Sequence, residues 1–197
     1  MRETCKLIAI PAAICLVAGL ALAWVNRQTE GPIQAAIRRA RIEALQQALP
    51  AHDNDPAEDR YEVADTDPPL IFHVARRDGE YAGAAWSVVS TEGYGGEIEI
   101  MIGVDDRNRV QGMAILRQRE TPGLGAKIER AEFKDQFAGR PMEDTDWRVR
   151  SDGGDIDEIT AATLSSEAVV AAVAAGLKQY REHEARIRQA AVDADPE

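Results

Sequence analysis

Apolar residues follow three successive regimes along this chain: an unbroken run, then a long stretch repeating every two residues, then a closing stretch with a helical repeat. Leu7 to Val25 contains no charged residue, and as a helix it extends about 28 Å, enough to cross the hydrocarbon core of a bilayer. Pro32 suits a first helical turn. Ile33, Ala36, Ile37, Ala40, Ala44, Leu45, Ala48 and Leu49 then form one apolar stripe closed by Pro50, which predicts a separate amphipathic helix. His52 to Asp59 is dense in charge and turn formers and reads as an exposed loop.

Leu70–Ala75 and Tyr81–Ser90 are strand-like and joined across Asp78-Gly79, a hairpin signal. Glu97 to Ile102 alternates polar and apolar residues, and Val110–Arg117 pairs with it across the Asp105–Asn108 turn, so an antiparallel sheet is expected. A short helix around Glu129 to Phe137, a strand around Trp147 to Val149 and a turn at Asp152-Gly153-Gly154 follow. Ala168, Val169, Ala172, Val173, Gly176 and Leu177 recur at helical spacing, which fades after Tyr180. Arg181 to Glu197 is expected to be a solvated tail. The predicted class is α+β, with one N-terminal transmembrane helix ahead of a domain of antiparallel sheet and flanking helices.

Composition narrows the chemistry. A chain of 197 residues with 45% hydrophobic residues has room for one domain and an anchor, and a net charge of −11 argues against a nucleic-acid partner. Cys5 and Cys15 both lie in or beside the apolar run, so no cysteine-ligated cluster or disulfide can form within the soluble domain. His52, His73 and His183 lack ligand spacing, and no Gly-x-Ser-x-Gly turn or Cys/His pair supplies a nucleophile.

Three stretches carry candidate ligand chemistry. Asp157 to Ser166 strings hydroxyl residues across a loop that enters a helix, where unpaired N–H groups and the positive end of the dipole receive anions. The same residues also serve as helix caps. In Gly93-Tyr94-Gly95-Gly96, glycine lets a backbone come close to a flat ligand or simply turn, and Tyr94 can stack on a ring. Thr121-Pro122-Gly123-Leu124-Gly125 forms a defined loop offering one apolar side chain, Leu124.

Asp157, Thr160, Ala162 and Thr163 match an Asp-x-x-[Ser/Thr]-Gly-Ala-Thr motif of flavoproteins that carry FMN on a threonine. Together with Gly93–Gly96, the Glu97–Val104 strand, Glu120–Gly125 and the N-terminal span, the chain resembles the G subunit of the Rnf complexes, membrane-bound NADH:ferredoxin oxidoreductases. It resembles less closely the C subunit of the sodium-pumping NADH:quinone oxidoreductases. Ala161 stands where that family usually has glycine, and the departure implies a backbone without positive φ. The resemblance implies an electron-transfer subunit of a translocase complex, with FMN esterified to Thr163. It places Thr160, Ala162, Leu164, Ser165, Tyr94, Gly95, Glu120, Thr121, Gly123, Leu124 and Lys127 about the cofactor, and gives Asp157 to recognition by a flavin transferase that uses FAD and magnesium. Asp155, Asp157 and Glu158 crowd carboxylates near a phosphodiester.

On this reading residues 1–30 are a cytoplasmic stub and anchor, 31–60 an amphipathic helix and acidic loop, 61–180 the FMN-binding domain, and 181–197 a charged tail. Ala21-Leu22-Ala23 resembles a cleavage site, but the apolar run is longer than a signal peptide's core and is read as an uncleaved anchor. The basic residues Arg27, Arg38, Arg39 and Arg41 after the span outnumber Arg2 and Lys6 before it, and by charge bias alone the domain would face the cytoplasm. The resemblance implies the opposite, a domain on the periplasmic side of the bacterial inner membrane. The other class of function compatible with the sequence is a cofactor-free, membrane-tethered scaffold subunit whose hydroxyl motif is only a cap.

Overall fold

The computed structural model describes residues 2–64, 66 and 69–193. The chain divides into two compact units, Met1–Ala40 and Arg41–Glu197. The first is the greater part of helix α1, Arg2–Ala48, and its apolar side chains, among them Leu16, Leu20, Leu22 and Trp24, are exposed. A stretch beginning at Pro11 is long and apolar enough to cross a membrane. Pro32 does not begin a second helix, as its position predicted, but lies inside α1. Proline removes one ladder hydrogen bond while its fixed φ remains helical, so it weakens a helix without requiring it to stop.

In the second unit, five strands among the described residues form one antiparallel sheet in sequence order: β1 (Arg60–Val63), β2 (Leu70–Arg77), β3 (Glu80–Gly93), β4 (Gly96–Asp105) and β5 (Val110–Arg117). The β2–β3 turn has Asp78 at φ 53° and Gly79 at φ 79°, the left-handed pair that matches hairpin twist. Strand β1 escaped prediction because Arg-Tyr-Glu-Val is short and buries only Val63 fully. Its pairing with β2 (Tyr61 with Phe72, Val63 with Leu70) defines it.

Alternation gives the sheet two buried faces. One carries Phe72, Val74, Trp86, Val88, Ile98, Ile100 and Ile102 against helix α3, Thr163–Asp193. Trp86 stacks on Tyr180 with centroids 5.1 Å apart, and Gly176 faces that ring so closely that a Cβ there would lie 2.7 Å from Val88. The other face carries mostly alanine, Ala75, Ala85 and Ala114 beside Met101, and receives Ala44, Leu45 and Ala48 from the end of α1 and Leu49 just after it. A Cβ on Gly103 would collide with the Ala48 carbonyl, so this helix end approaches the sheet at backbone distance.

The loop at 52–59 is held more firmly than its polarity suggests. Asn54 Nδ2 donates to Val74 O (2.8 Å) and Asp59 (2.9 Å), Asn54 Oδ1 accepts from Arg76 N (2.8 Å), and Arg76 pairs with Asp59 at 2.7 Å. Buried His73 donates Nδ1–H to Pro56 O at 2.7 Å, and burial lowers its pKa from the ordinary value.

Between β5 and α3 the chain is less regular than predicted. The short helix expected around Glu129 to Phe137 is the one-turn helix α2, Ala131–Lys134, preceded by a 3₁₀ turn, Gly125–Glu129, and the strand near Trp147 reduces to a single parallel bridge of Val149 to Ile156. Trp147 takes part through its ring instead, stacked on Phe137 at 6.0 Å.

Of the segment expected to be a solvated tail, residues 181–193 continue α3, and 194–197 lie outside the described residues. Ile187 and Ala191 are fully buried, about two and three helical turns beyond Tyr180. Arg188 lies 4.6 Å above the Tyr81 ring while donating to Glu184, Asp106 O and Asn108. Tyr81 and Tyr180 share a 2.8 Å hydroxyl contact, and burial raises the pKa of both. Two apolar positions among many charges are a weak periodic signal, whereas their burial is complete. Ile187→Ala is therefore expected to lower unfolding free energy by about 2–4 kcal/mol in chemical denaturation, against less than about 0.5 kcal/mol for a solvated residue.

Candidate functional site

Helix α3 begins at Thr163, and the loop before it is built from side-chain bonds to the backbone. Ser166, fully buried, accepts from Ile159 N (2.9 Å) and donates to Ala162 O (3.0 Å), folding the loop onto the helix start. Ala162 N donates to Ile159 O (2.8 Å) and Ser166 N to Ala162 O (3.1 Å). Among the described residues nothing accepts from the N–H groups of Thr163, Leu164 or Ser165, and both Thr160 and Thr163 are exposed. These are the orphan donors of a helix N-terminus, 31 residues of aligned dipole behind them, with a hydroxyl beside them.

Ala161 has φ 65°, contrary to the expectation that replacing glycine implies a backbone without positive φ. The tight 159–162 turn requires the left-handed conformation, and alanine bears the steric penalty. Three further contacts fix the start of the motif. Gln136, which nothing in the sequence marked, accepts from Asp157 N at 2.7 Å and donates to Asp157 O at 3.1 Å. Arg150 donates to the Asp157 carboxylate, and this bond raises the guanidinium's pKa further. The crowding of carboxylates resolves because each has its own donor: Asp155 takes Asp146 N (2.8 Å), Asp157 takes Arg150, and Glu158 takes Ser151 N (3.4 Å).

The other two predicted stretches meet this one at Glu120. The glycine run forms the two-residue turn of the β3–β4 hairpin, with Gly93 opposite Gly96. Gly95 N donates to Glu120 Oε1 at 2.9 Å and Ser165 Oγ donates to Glu120 Oε2 at 2.5 Å. Glycine at 95 serves a close approach of protein to protein, since a Cβ there would collide with Arg119 O. Glu120 is 5% exposed and Ser165 fully buried, so these two expected contact residues are turned inward and bonded to one another. The neighbouring apolar residues are turned out: Tyr94 is 72% exposed, Leu164 56% and Leu124 43%. Thr121 and Gly123, the latter at φ 78°, form the exposed part of the intervening loop.

Lys127, from the 3₁₀ turn after that loop, lines an open cleft of about 350 Å³ with Arg130, Phe133, Gln136, Asp157 and Ile159. Another cleft, about 420 Å³, lies between α3 and strands β2 and β3, is lined by Leu70, Val88, Ala172 and Gly176 among others, and shares no residue with the motif. No cluster of three or more potential metal ligands occurs among the described residues.

Residues 93–178, which contain all three stretches, match the family model described as FMN-binding domain. Over 180 residues the chain is 37% identical to the G subunit of the ion-translocating oxidoreductase complex of Cereibacter sphaeroides, covering 87% of this chain and 82% of that protein. The G subunit of the corresponding complex of Stutzerimonas stutzeri is 36% identical over 185 residues, 89% of this chain and 81% of its own. The chain belongs to the G-subunit family of ion-translocating oxidoreductase complexes. Among solved structures, this family member is similar to the C subunit of the Na(+)-translocating NADH-quinone reductase from Parabacteroides distasonis. The two share 26% identity at a TM-score of 0.51, over 66% of this chain and 67% of that one. NqrC of Shewanella oneidensis, 15% identical with a TM-score of 0.52 over 72% of this chain and 70% of its own, shares the fold.

The strained alanine gives a direct check of the loop's geometry. Ala161→Gly is expected to stabilise the chain by up to about 1 kcal/mol, the left-handed penalty removed being partly offset by the greater freedom of glycine in the unfolded chain. Urea denaturation of the two proteins measures it, and a loss of stability would contradict positive φ at this position.

Proposed function

We propose that this chain is the electron-transfer subunit of a membrane-bound, ion-translocating NADH:ferredoxin oxidoreductase complex of the Rnf type, with FMN held covalently as a phosphoester of Thr163. The observation that carries the reading is the exposed Thr163 hydroxyl beside unpaired N–H groups at the amino end of a long helix, within a segment that matches the FMN-binding family model. A phosphoester needs an accessible hydroxyl and donors for its remaining oxygens, and this helix start offers both.

The side chains sort by role. Thr163 is the attachment point. Thr160, Ala162 and Leu164 border it, and Lys127 adds a cation on the side of the 3₁₀ turn. Tyr94, Leu124 and Leu164 supply apolar surface for a flat ring, framed by Gly95, Thr121 and Gly123. Glu120 and Ser165 hold these pieces in place from beneath. FMN supplies one- and two-electron redox chemistry when bound, while the protein sets its position, its exposure to water and the charge around it.

Attachment is assigned to a separate flavin transferase that recognises Asp157 and uses FAD with magnesium. The threonine Oγ–phosphorus bond forms as the FAD pyrophosphate bond breaks, AMP leaves and the hydroxyl proton passes to the transferase. A threonine hydroxyl is a weak nucleophile on its own, which leaves its activation to the transferase. Arg150 and Gln136, by holding Asp157 from side chain and backbone, keep the recognition residue in a fixed pose.

The apolar helix α1 is assigned as a single-pass anchor in the bacterial inner membrane, with the flavin domain on the periplasmic side and the other members of the complex as partners. The chain acts as part of a translocase, with no substrate conversion of its own.

Two measurements test the reading. Thr163→Val, made beside an active transferase, is expected to give folded protein with no flavin fluorescence on a denaturing gel, since losing a hydroxyl at a helix start costs only about 1 kcal/mol. Retention of covalent flavin in that variant would move the site elsewhere. Leu124→Ala is expected to keep the covalent flavin but to change its reduction potential in redox titration, because removing the side chain admits water beside the ring.

A further inference from the structure

Two segments of the candidate site lack part of the regular backbone pairing of the elements they belong to. At the tip of the β3–β4 hairpin the ladder register breaks between Ser90 and Gly93, so regular pairing stops just before the turn. The first turn of α3 lacks the preceding carbonyls that would hold its amides. Between them stands a side chain that no regular element requires, a carboxyl group 5% exposed, in a place where an apolar residue would ordinarily sit.

Its surroundings are shaped to it. Oε1 accepts from Gly95 N and Oε2 from Ser165 Oγ, the two bonds reaching elements 70 residues apart in sequence. A Cβ on Gly93 would lie 2.7 Å from Oε1, and one on Gly125 would lie 2.6 Å from Ser165 Oγ, so glycine at both positions leaves the room that the carboxyl and its partner occupy. Gln118 Oε1 accepts from Glu120 N at 2.5 Å and fixes the backbone from which the side chain projects. The two donors to the carboxyl group and one of the glycines that make room for it each adjoin an exposed apolar residue in sequence: Gly95 follows Tyr94, Ser165 follows Leu164 and Gly125 follows Leu124.

We propose that Glu120 is a positioning residue, a latch that joins the hairpin turn at Tyr94-Gly95 to the first turn of α3 so that the two sides of the ligand site move as one body. It contacts no ligand itself. Without it, Tyr94 on one element and Thr163 with Leu164 on the other remain linked by the packing of α3 on the sheet farther along the helix, but not by a hydrogen bond between the two ends themselves. The latch is a property of the folded chain; only its consequence for a bound ring rests on the flavin reading.

Amide hydrogen exchange on the full-length chain in lipid nanodiscs, produced without the transferase, reads the latch directly. In Glu120→Ala the hydrogen-bonded amides of Gly95, Ala162 and Ser166 are expected to exchange about tenfold faster, together, while Ile100 and Ile102 keep their protection. In Glu120→Gln the amide oxygen still accepts from Gly95 and the NH₂ group can donate to Ser165 Oγ, so protection is expected to return to within about threefold of wild type. Ser165→Ala, a smaller change that keeps the decision available should Glu120→Ala not fold, is expected to raise exchange at Gly95 across the carboxyl. Faster exchange in one segment alone, or an equal rise throughout β4, overturns the proposal.

A second arm uses protein made beside the transferase. Glu120→Ala is expected to retain flavin on the denatured band while its visible circular dichroism and fluorescence anisotropy fall. Flavin with wild-type signals in that variant overturns the latch. A colourless wild-type protein counts against Thr163 as the attachment point and leaves the exchange result to decide the latch.

Discussion

The carboxyl group of Glu120 is the constraint on which the site's geometry depends. A buried acid is costly unless every oxygen is bonded, and here the donors come from a hairpin turn and a helix start that lie 70 residues apart in sequence. Because those donors must arrive at fixed places, several other features become obligatory: glycine where Cβ atoms would fill the carboxyl's space, and a serine rather than a threonine or valine at the third position of α3. The exposed residues Tyr94, Leu124 and Leu164 occupy one end of the domain as a consequence.

A second constraint is the close approach of helices to the sheet. On one face α3 is admitted by Gly176 against Trp86, Val88 and Ile102; on the other the end of α1 lies on Gly103 and Gly112 at backbone distance. The two faces differ in the size of their residues, large on the α3 side and small on the α1 side, so each accepts only its own helix. Helix α3 is thereby anchored along its length, from Ala168 through Tyr180 to Ala191, and its first turn is presented on a rigid support. The exposed end of α3, where Thr163 and Leu164 stand, thus starts a helix that is held by packing farther along its length.

The motif loop itself combines strain and restraint. Ala161 is held at φ 65° by a turn whose amide and carbonyl groups are occupied by Ser166, while Gln136 fixes the backbone of Asp157 from both sides. Strain of this size persists only where the surroundings over-determine the conformation, and the density of side-chain bonds between residues 157 and 166 meets that condition.

The sequence by itself determined the elements with strong periods: the apolar run of α1, the hairpins of β2 to β5 and the first half of α3, because alternation and helical spacing are local signals of burial. It also marked three candidate stretches and the family, through residues whose chemistry is local, such as hydroxyls before a helix and glycines at turns. What tertiary structure alone decided was which of those residues face outward. Glu120 and Ser165 were read as ligand contacts, yet they lie buried and bonded to one another, a pairing across 45 residues that no local pattern encodes. The same holds for Gln136 at Asp157 and for Ile187 and Ala191 in the second half of α3, which lie in stretches rich in charge and are engaged only once the chain has folded back. Ala161 shows the limit most directly: its identity argued for an ordinary backbone, while the turn closed by Ser166 and Ile159 set φ positive, because many bonds acting together outweigh the preference of one residue.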